Sequence, residues 1–296
     1  MQKMLSIVYI TKNRCEELNK SILSCEQHIS IPHEYVVVDN ASEDNTAEMV
    51  DTLIANGLEV NYLLMNENKG VAGAREIGFK VAKGDVCYFI DDDATVISEG
   101  YCLDKAYNWI KTKDNVFALG TDCYDTERKT RLIRKPEKGK EWGSLSRILT
   151  FVGCSHFIFK EKYNPLHLYP SNLIYGSEEL YCGLGIYASG GCIMQFSDVK
   201  VLHEPSKNTR ESVKQRRRHG HINTFVVKQY MFPFPYSVIS SILFLFRIIR
   251  FEKCNFKIII SDIKIAKERY AKKYSNKLRT NQIMRLIKYF GIKQIL

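Results

Sequence analysis

The first 90 residues alternate short apolar runs with segments of helix length, and this alternation restricts the possible folds more than any other feature. The apolar runs are rich in β-branched and aromatic side chains and lack the polar alternation of a half-exposed strand. Uninterrupted apolar strands are typical of a sheet that is covered on both faces. Repeated strand–helix–strand units with short turns therefore predict an α/β fold with a doubly wound, mostly parallel sheet.

Four strands and three intervening helices are predicted in this region. The strands are expected at residues 5–10, 34–38, 60–64 and 86–90. The helices are expected at residues 11–29, from about residue 44, and at 71–82, with Ser42 or Asp44 as a cap of the second helix. Ligands of such sheets bind beyond the carboxyl ends of the strands, so the residues that follow each strand are candidate site residues.

Polar side chains follow three of the predicted strands. Thr11, Asn13 and Arg14 come after the first strand, Asp39 comes directly after the second, and three consecutive aspartates at 91–93 follow the fourth. A single polar loop is ordinary, but polar clusters at several successive strand ends are not explained by the general polarity of loops. They predict a binding site at the carboxyl edge of the sheet.

The three aspartates directly follow a buried strand. Adjacent carboxylates repel one another unless a cation lies between them, and hard oxygen ligands favour Mg²⁺ or Mn²⁺. These ions commonly use one or two carboxylates and take further oxygens from a substrate phosphate. The alternative interpretation is a solvated acidic turn without a ligand.

Three further motifs carry candidate residues. Residues 68–75 form a Gly/Ala-rich turn that ends in Arg75 and suits an anion, but the turn matches neither a dinucleotide-binding nor a P-loop pattern. Glu178 and Glu179 stand at a predicted helix start, where a carboxylate is either a partner of the helix dipole or a general base. His203 follows a strand-like run and is either a metal ligand or a structural histidine.

Together these motifs resemble family 2 glycosyltransferases, an inverting class with the GT-A fold that uses nucleotide sugars. The resemblance is carried by four ordered segments, at residues 6–14, 36–44, 68–78 and 89–94, and it extends over roughly residues 4–232. It implies a Rossmann-like, doubly wound sheet and an enzyme that depends on Mn²⁺ or Mg²⁺.

The resemblance also implies a role for each candidate residue. The nucleotide-sugar site comprises Thr11, Asn13, Arg14, Asp39, Arg75, Asp91 and Asp92, with Asp39 accepting a hydrogen bond from the base. The metal site comprises Asp91, Asp93 and His203, with Asp93 favoured as a direct ligand. Glu179 is the expected catalytic base, which deprotonates the acceptor, and Glu178 is the alternate.

The sequence departs from the family pattern at two places. Glu76 stands where relatives commonly have asparagine, which is expected to alter contacts near the nucleotide. The catalytic pair is Glu–Glu where the family has Glu–Asp, and residues 180–183 lack the acidic and arginine positions that are frequent after the pair. The resemblance therefore implies no particular acceptor.

The predicted function is transfer of a sugar, with inversion, from a UDP-, dTDP- or GDP-linked donor to a glycan or lipid-linked acceptor in surface polysaccharide synthesis. One alternative is a transferase that glycosylates a peptide or protein. A second is a non-catalytic, nucleotide-sugar-binding membrane scaffold, which would have no need of a base. A sugar nucleotidyltransferase is disfavoured because its Gly-rich N-terminal phosphate loop is missing at residues 11–14.

The positive charge is concentrated at one end of the chain. Residues 247–296 contain fourteen Lys and Arg and three acidic residues, so this segment carries +11, whereas residues 1–246 carry −1 and the whole chain +10. This shift predicts a catalytic domain at 1–232 and a basic, amphipathic, helical extension at 233–296.

Two properties of the extension concern membranes. Residues 229–246 carry no charge but contain Pro233 and Pro235, so the apolar segment is too short to span a bilayer. Apolar residues recur at helical spacing among lysines farther on, which predicts binding to an anionic membrane surface; they are Phe256, Ile259, Ile260, Ile263, Tyr270 and Tyr274. The alternative is packing on the catalytic domain or on a second subunit in a homodimer.

The nine cysteines are scattered, odd in number and without a C-x-x-C pair, which favours a reducing compartment. No signal peptide is predicted at the N-terminus. We therefore expect a cytoplasmic protein, peripheral on the inner face of the cell membrane.

Nucleic acid is not an expected partner, because no aromatic and basic residues alternate as in RNA-binding surfaces. The basic cluster at residues 216–219 suits either an acceptor phosphate or a solvated helix face.

Overall fold

The computed structural model describes residues 2–141, 145–171, 173, 176–205, 213–251, 256–270 and 277–296. Tyr274 of the predicted amphipathic stripe lies outside these residues, as do the side chains of Phe256, Tyr270, Arg216 and Arg217.

The described residues form ten strands and ten helices. The strands are β1 (Gln2–Thr11), β2 (His33–Asp39), β3 (Val60–Leu64), β4 (Gly84–Ile90), β5 (Ala94–Val96), β6 (Val116–Asp125), β7 (Thr130–Arg131), β8 (Arg147–Ile148), β9 (Ser155–Phe159) and β10 (Cys192–His203). The helices are α1 (Cys15–Glu26), α2 (Thr46–Ala55), α3 (Gly70–Val81), α4 (Cys102–Lys111), α5 (Glu178–Ala188), α6 (Val213–Met231), α7 (Tyr236–Phe251), α8 (Phe256–Tyr270), α9 (Thr280–Phe290) and α10 (Ile292–Ile295).

One mixed, mostly parallel sheet forms the centre of the molecule. Its strand order is β3-β2-β1-β4-β9-β6-β10-β5, with β7 paired to β6 and β8 paired to β10. Strands β1 to β4 are mutually parallel, as the sequence predicts, and their buried residues form the core between helices. Strand β9 is antiparallel and lies between β4 and β6, with Phe157 opposite Tyr88. The predicted α/β fold is confirmed.

The loop after β1 accounts for a difference from the predicted first helix. The helix begins at Cys15 rather than at Thr11, because Thr11 still belongs to β1 and Asn13 adopts a positive φ of 54°. The second helix begins at Thr46, whose backbone N and hydroxyl both donate to Asp44. Of the two predicted caps, Asp44 therefore contacts the first turn, whereas Ser42 turns toward the loop after β1.

Helix α3 lies unusually close to the sheet because of one glycine. A Cβ on Gly78 would come within 2.5 Å of Val8 Cγ1 and 3.3 Å of Val38 Cγ2. The absent side chain lets α3 sit directly on β1 and β2. This packing places Arg75, one turn earlier on α3, at the carboxyl edge of the sheet.

The C-terminal helices pack on one another and on the preceding body. Helix α6 contacts α5, and α7 and α8 both contact α6. Helix α9 returns to the body, where Gln282 donates to the carbonyl of Ala188 over 2.8 Å and the carbonyl of Tyr289 accepts from the backbone N of Lys138. None of the helices within the described ranges combines the length and apolar character that crossing a membrane requires.

Candidate active site

The loops after β1 and β2 lie side by side at the carboxyl edge. Thr11 pairs with Asp39 across the two strands, and the backbone N of Asn13 donates to Ser42 Oγ over 2.9 Å. Asp39 is fully buried and accepts hydrogen bonds from Tyr62 Oη at 2.6 Å and from the backbone N of Ser42 at 2.7 Å. These contacts hold the predicted nucleotide-binding residues of both loops in one place.

Arg14 joins the loop after β1 to the loop after β4. Its Nη1 atom lies 2.7 Å from Asp92 Oδ1 and 3.0 Å from Asp93 Oδ2. Burial raises the pKa of Asp92 to about 7, with a further rise from Asp93 and a partial reduction by Arg14. The guanidinium therefore neutralises part of the charge of three adjacent carboxyl groups.

The pairing of β5 with β10 brings His203 to the aspartates. His203 lies opposite Ala94 in this antiparallel pair, and its Nε2 is 3.2 Å from Asp93 Oδ1. One ligand atom each from Asp91, Asp93 and His203 falls within 4.8 Å of the others. Two carboxylates and an imidazole form a donor set that fits Mn²⁺ or Mg²⁺, and their convergence across 110 residues of chain supports a metal site.

The electrostatics around His203 favour its protonated form in the absence of a cation. Burial lowers the pKa of His203, but the hydrogen bond to Asp93 and the charges of Asp93, Asp91 and Asp125 outweigh this effect and raise it. Asp125, whose Oδ2 lies 3.5 Å from Nδ1 of the ring, was not among the predicted site residues. It ends β6, directly beside His203 in the parallel pairing of β6 and β10.

Arg75 connects the metal-site aspartates to the glutamate pair. Its Nη2 donates to Asp91 Oδ1 over 2.6 Å and to the carbonyl of Gly153 over 2.9 Å, while Nη1 lies 3.9 Å from Glu178 Oε1. Burial alone would lower the pKa of Arg75, but Asp91 and, more weakly, Tyr169 and Glu178 raise it. A buried, permanently charged guanidinium thus sits between the two groups of carboxylates.

Glu178 and Glu179 begin α5, as predicted, but they occupy different environments. Glu178 is buried, and burial together with the charge of Glu179 raises its pKa to about 8. Glu179 is partly exposed and turns toward Gly153, where an added Cβ would lie 2.2 Å from Glu179 Oε1. An added side chain at Gly153 would therefore force the Glu179 carboxylate to move.

A layer of buried residues beneath Arg75 was missed by the sequence reasoning. The His156 ring stacks on Phe151 at 4.0 Å between centroids, and its Nδ1 is 3.1 Å from the carbonyl of Gly153. Its Nε2 is 2.5 Å from Tyr169 Oη, and the Tyr169 ring lies 5.9 Å from the Arg75 guanidinium carbon. No short motif marks these residues, because they come from β9 and from the segments before and after it, and they touch only after folding.

The carboxylate of Glu76 contacts the protein itself, and its expected effect on the nucleotide contacts stays a prediction. Its Oε2 accepts from the backbone N of Leu168 at 2.7 Å and of Tyr169 at 3.2 Å, and its Oε1 pairs with Lys80 at 2.9 Å. Through these hydrogen bonds Glu76 connects α3 to the segment that carries Tyr169.

Comparison with known proteins places the chain in a family. The model of glycosyl transferase family 2 matches residues 6–172, which is more than half of the sequence, and the chain belongs to that family. An uncharacterized glycosyltransferase of Haemophilus influenzae is 30% identical over 121 residues, which cover 41% of this chain and 48% of that protein. The poly(ribitol-phosphate) β-N-acetylglucosaminyltransferase TarP of Staphylococcus aureus is 28% identical over 142 residues, covering 46% and 42%.

The fold resembles that of solved glycosyltransferases. The crystal structure of GalNAc-T7 with UDP, GalNAc and Mn²⁺ superposes with a TM-score of 0.64 at 21% identity, covering 79% of this chain and 49% of that one. The present chain thus spans about half the length of the first relatives that it matches.

Proposed function

We propose that this protein is an inverting glycosyltransferase that moves a sugar from a nucleoside diphosphate to an acceptor hydroxyl. The observation that carries this proposal is the position of Arg75, which contacts Asp91 on one side and lies near Glu178 on the other. A cation site and a glutamate pair at opposite ends of one guanidinium match the two needs of the reaction, a stabilised leaving group and a base. The donor is UDP-, dTDP- or GDP-linked.

The donor is held where the loops after β1, β2 and β4 converge. Thr11, Asn13 and Asp39 line the nucleotide pocket, and Arg14 and Arg75 supply positive charge beside the aspartates. When bound by Asp91, Asp93 and His203, Mn²⁺ or Mg²⁺ stabilises the negative charge that develops on the departing diphosphate.

Glu179 is the proposed base in this reaction. The acceptor oxygen attacks the anomeric carbon from the face opposite the diphosphate, the bond from carbon to diphosphate oxygen breaks, and the acceptor proton passes to the Glu179 carboxylate. Its partial exposure leaves it accessible to an acceptor, whereas Glu178 is buried against Arg75. Glu178 then maintains the position of Arg75 and remains the alternate base.

A lipid-linked glycan in surface polysaccharide synthesis is the proposed acceptor. The likeness to TarP, whose name gives poly(ribitol-phosphate) as its acceptor, supports a polymeric acceptor. The corresponding location is cytoplasmic and peripheral on the inner face of the membrane. A peptide or protein acceptor is the alternative that an acceptor panel would identify.

The experiment that tests the proposal is a donor panel. UDP-, dTDP- and GDP-sugars are incubated with the protein and Mn²⁺ or Mg²⁺, and release of the nucleoside diphosphate is measured with and without EDTA. We expect one donor to be hydrolysed slowly in a metal-dependent manner, and Asp93→Ala to abolish this hydrolysis. Failure of every donor to bind, measured by calorimetry in the presence of metal, would contradict the proposal.

A further inference from the structure

Helix α7 presents an apolar face to the outside of the molecule. We call this the outer face of α7, and it consists of Val238, Ile239, Ile242, Leu245, Phe246 and Ile249, with exposed fractions between 37% and 68%. The opposite side of the helix is buried through Ser240, Phe244 and Ile248, and Phe244 stacks on Phe225 of α6 at 4.3 Å between centroids. One side of the helix is thus packed against the protein, and the other side is an exposed apolar surface.

The outer face is continuous. Successive residues of an α-helix are about 100° apart around its axis, so the six side chains cover an arc of about 120° roughly opposite Phe244. Arg250 borders this arc, Arg247 lies farther around the helix on the same side, and α7 contains no acidic residue. Proteins that stay monomeric in water rarely expose a contiguous apolar patch of this kind without a binding function.

Only part of the predicted apolar stripe of α8 is exposed. The sequence pattern points to the apolar stripe of α8, in which Ile259 is buried and Ile263 half-buried, whereas Ile260 is 66% exposed. The buried Asp262 of α8 is paired with Arg218 of α6, which fixes the inward side of α8 further. The exposed side of α8 carries Ile260 together with three lysines; they are Lys257, Lys264 and Lys267.

We propose that the outer face of α7 inserts into the boundary between the headgroups and acyl chains of an anionic lipid surface. An apolar helix face with basic residues at its border and on the neighbouring helix has the composition of an interfacial anchor. Residues 247–296 carry a net charge of +11, which complements anionic headgroups. This deepens the membrane location proposed above, although its test does not require sugar transfer.

Charge also argues against a second copy of the chain as the occupant of this face. A two-fold dimer brings the same patch of both subunits together. Pairing two outer faces of α7 would place two segments of charge +11 beside each other, together with both pairs of Arg247 and Arg250. The same positive charges attract an anionic lipid surface but repel a second copy of the chain.

The test compares two double variants in a vesicle sedimentation assay. Ile242→Glu/Ile249→Glu places two carboxylates on the outer face of α7, at side chains that are 50% and 41% exposed. The matched control is Ile133→Glu/Ile54→Glu, which makes the same changes on the body at exposures of 52% and 43%. The vesicles are phosphatidylcholine with or without phosphatidylglycerol, and the melting temperature and sedimentation velocity of each protein are measured without lipid.

We expect the unaltered protein and the control to sediment with phosphatidylglycerol vesicles and the α7 variant to lose at least about tenfold in partitioning, with similar melting temperatures. High salt should weaken binding, because the Debye length shrinks from about 10 Å at 0.1 M to about 3 Å at 1 M.

The proposal is overturned if the unaltered protein does not bind anionic vesicles or if the α7 variant binds as well as the control. It is also overturned if the unaltered protein is a dimer that only the α7 variant dissociates, with vesicle binding unchanged. Donor binding by the same variants, measured separately, reports on the transferase proposal alone.

Discussion

Asn223 of α6 donates a hydrogen bond from Nδ2 to the carbonyl oxygen of Gly176, 2.8 Å away. Gly176 and Ser177 adopt positive φ angles of 80° and 70° and form the turn that leads directly into Glu178 and Glu179. Arg269 of α8 donates to the other side of the Asn223 amide, at Oδ1. A chain of contacts therefore runs from the C-terminal helices to the start of α5, where the proposed base stands.

Replacing Asn223 tests whether this chain positions the glutamates. Asn223→Asp keeps the acceptor for Arg269 but loses the donor to Gly176, so we expect kcat to fall about 10–100-fold while the donor KM stays nearly constant. Asn281→Asp, on the exposed side of α9, is the control for the added charge. A variant that melts like the unaltered protein and has full kcat would contradict the positioning role.

The metal site predicts a strong effect of a single carboxylate. Asp93→Ala removes one of the three converging ligands, so turnover should fall at least about 10³-fold, because metal stabilisation of a leaving group amounts to several kcal/mol. EDTA should reproduce the loss, and Mn²⁺ binding measured by calorimetry should disappear with the variant. Asp51→Ala, an exposed aspartate of α2, is the control. Full activity in excess EDTA would exclude a metal-dependent reaction.

The two glutamates should separate in kinetics. Glu179→Gln keeps the size of the side chain but removes the proton acceptor, so we expect kcat to fall about 10²–10⁴-fold with donor affinity nearly unchanged. Glu178→Gln should have the smaller effect on kcat and should weaken donor binding through Arg75, from which Glu178 Oε1 is 3.9 Å distant. The reverse ranking of the two kcat values would assign the base to Glu178.

The pH dependence of stability should report the burial of Glu178. Its folded pKa of about 8 exceeds the ordinary 4.5, so the folded state binds more protons between these values and its stability falls as the pH rises through them. Glu178→Gln removes this loss. At about pH 8.5, without metal, we expect the variant to melt at least about 4 °C above the unaltered protein, because each unit of pKa shift is worth about 1.4 kcal/mol and about 1 kcal/mol already raises the melting temperature by about 2–4 °C. At about pH 4 the two should coincide. If the melting temperatures of the two proteins differed by the same amount at every pH, the raised pKa of Glu178 would be contradicted.

Local sequence patterns were sufficient to predict the strands in the first part of the chain. The third strand was predicted at its observed bounds, and β1, β2 and β4 extend only a few residues beyond the predicted ones. Continuous apolar runs predict buried strands, and the carboxyl ends of parallel strands meet at one edge. The loops that carry Arg14, Asp39 and the aspartates at 91–93 could therefore be placed at one edge without a structure.

The sequence by itself thus determined the fold class, the family and the identity of the polar residues at the sheet edge. The tertiary structure alone decided that β9 enters the sheet antiparallel, that Arg75 links Asp91 to the glutamates, and that Asn223 supports the turn before Glu178. It also decided that Ile259 of the predicted α8 stripe is buried while the outer face of α7 is exposed. The physical reason is that periodicity along a chain records that a helix or strand has an apolar side, whereas the partner of that side lies tens of residues away and is selected by packing.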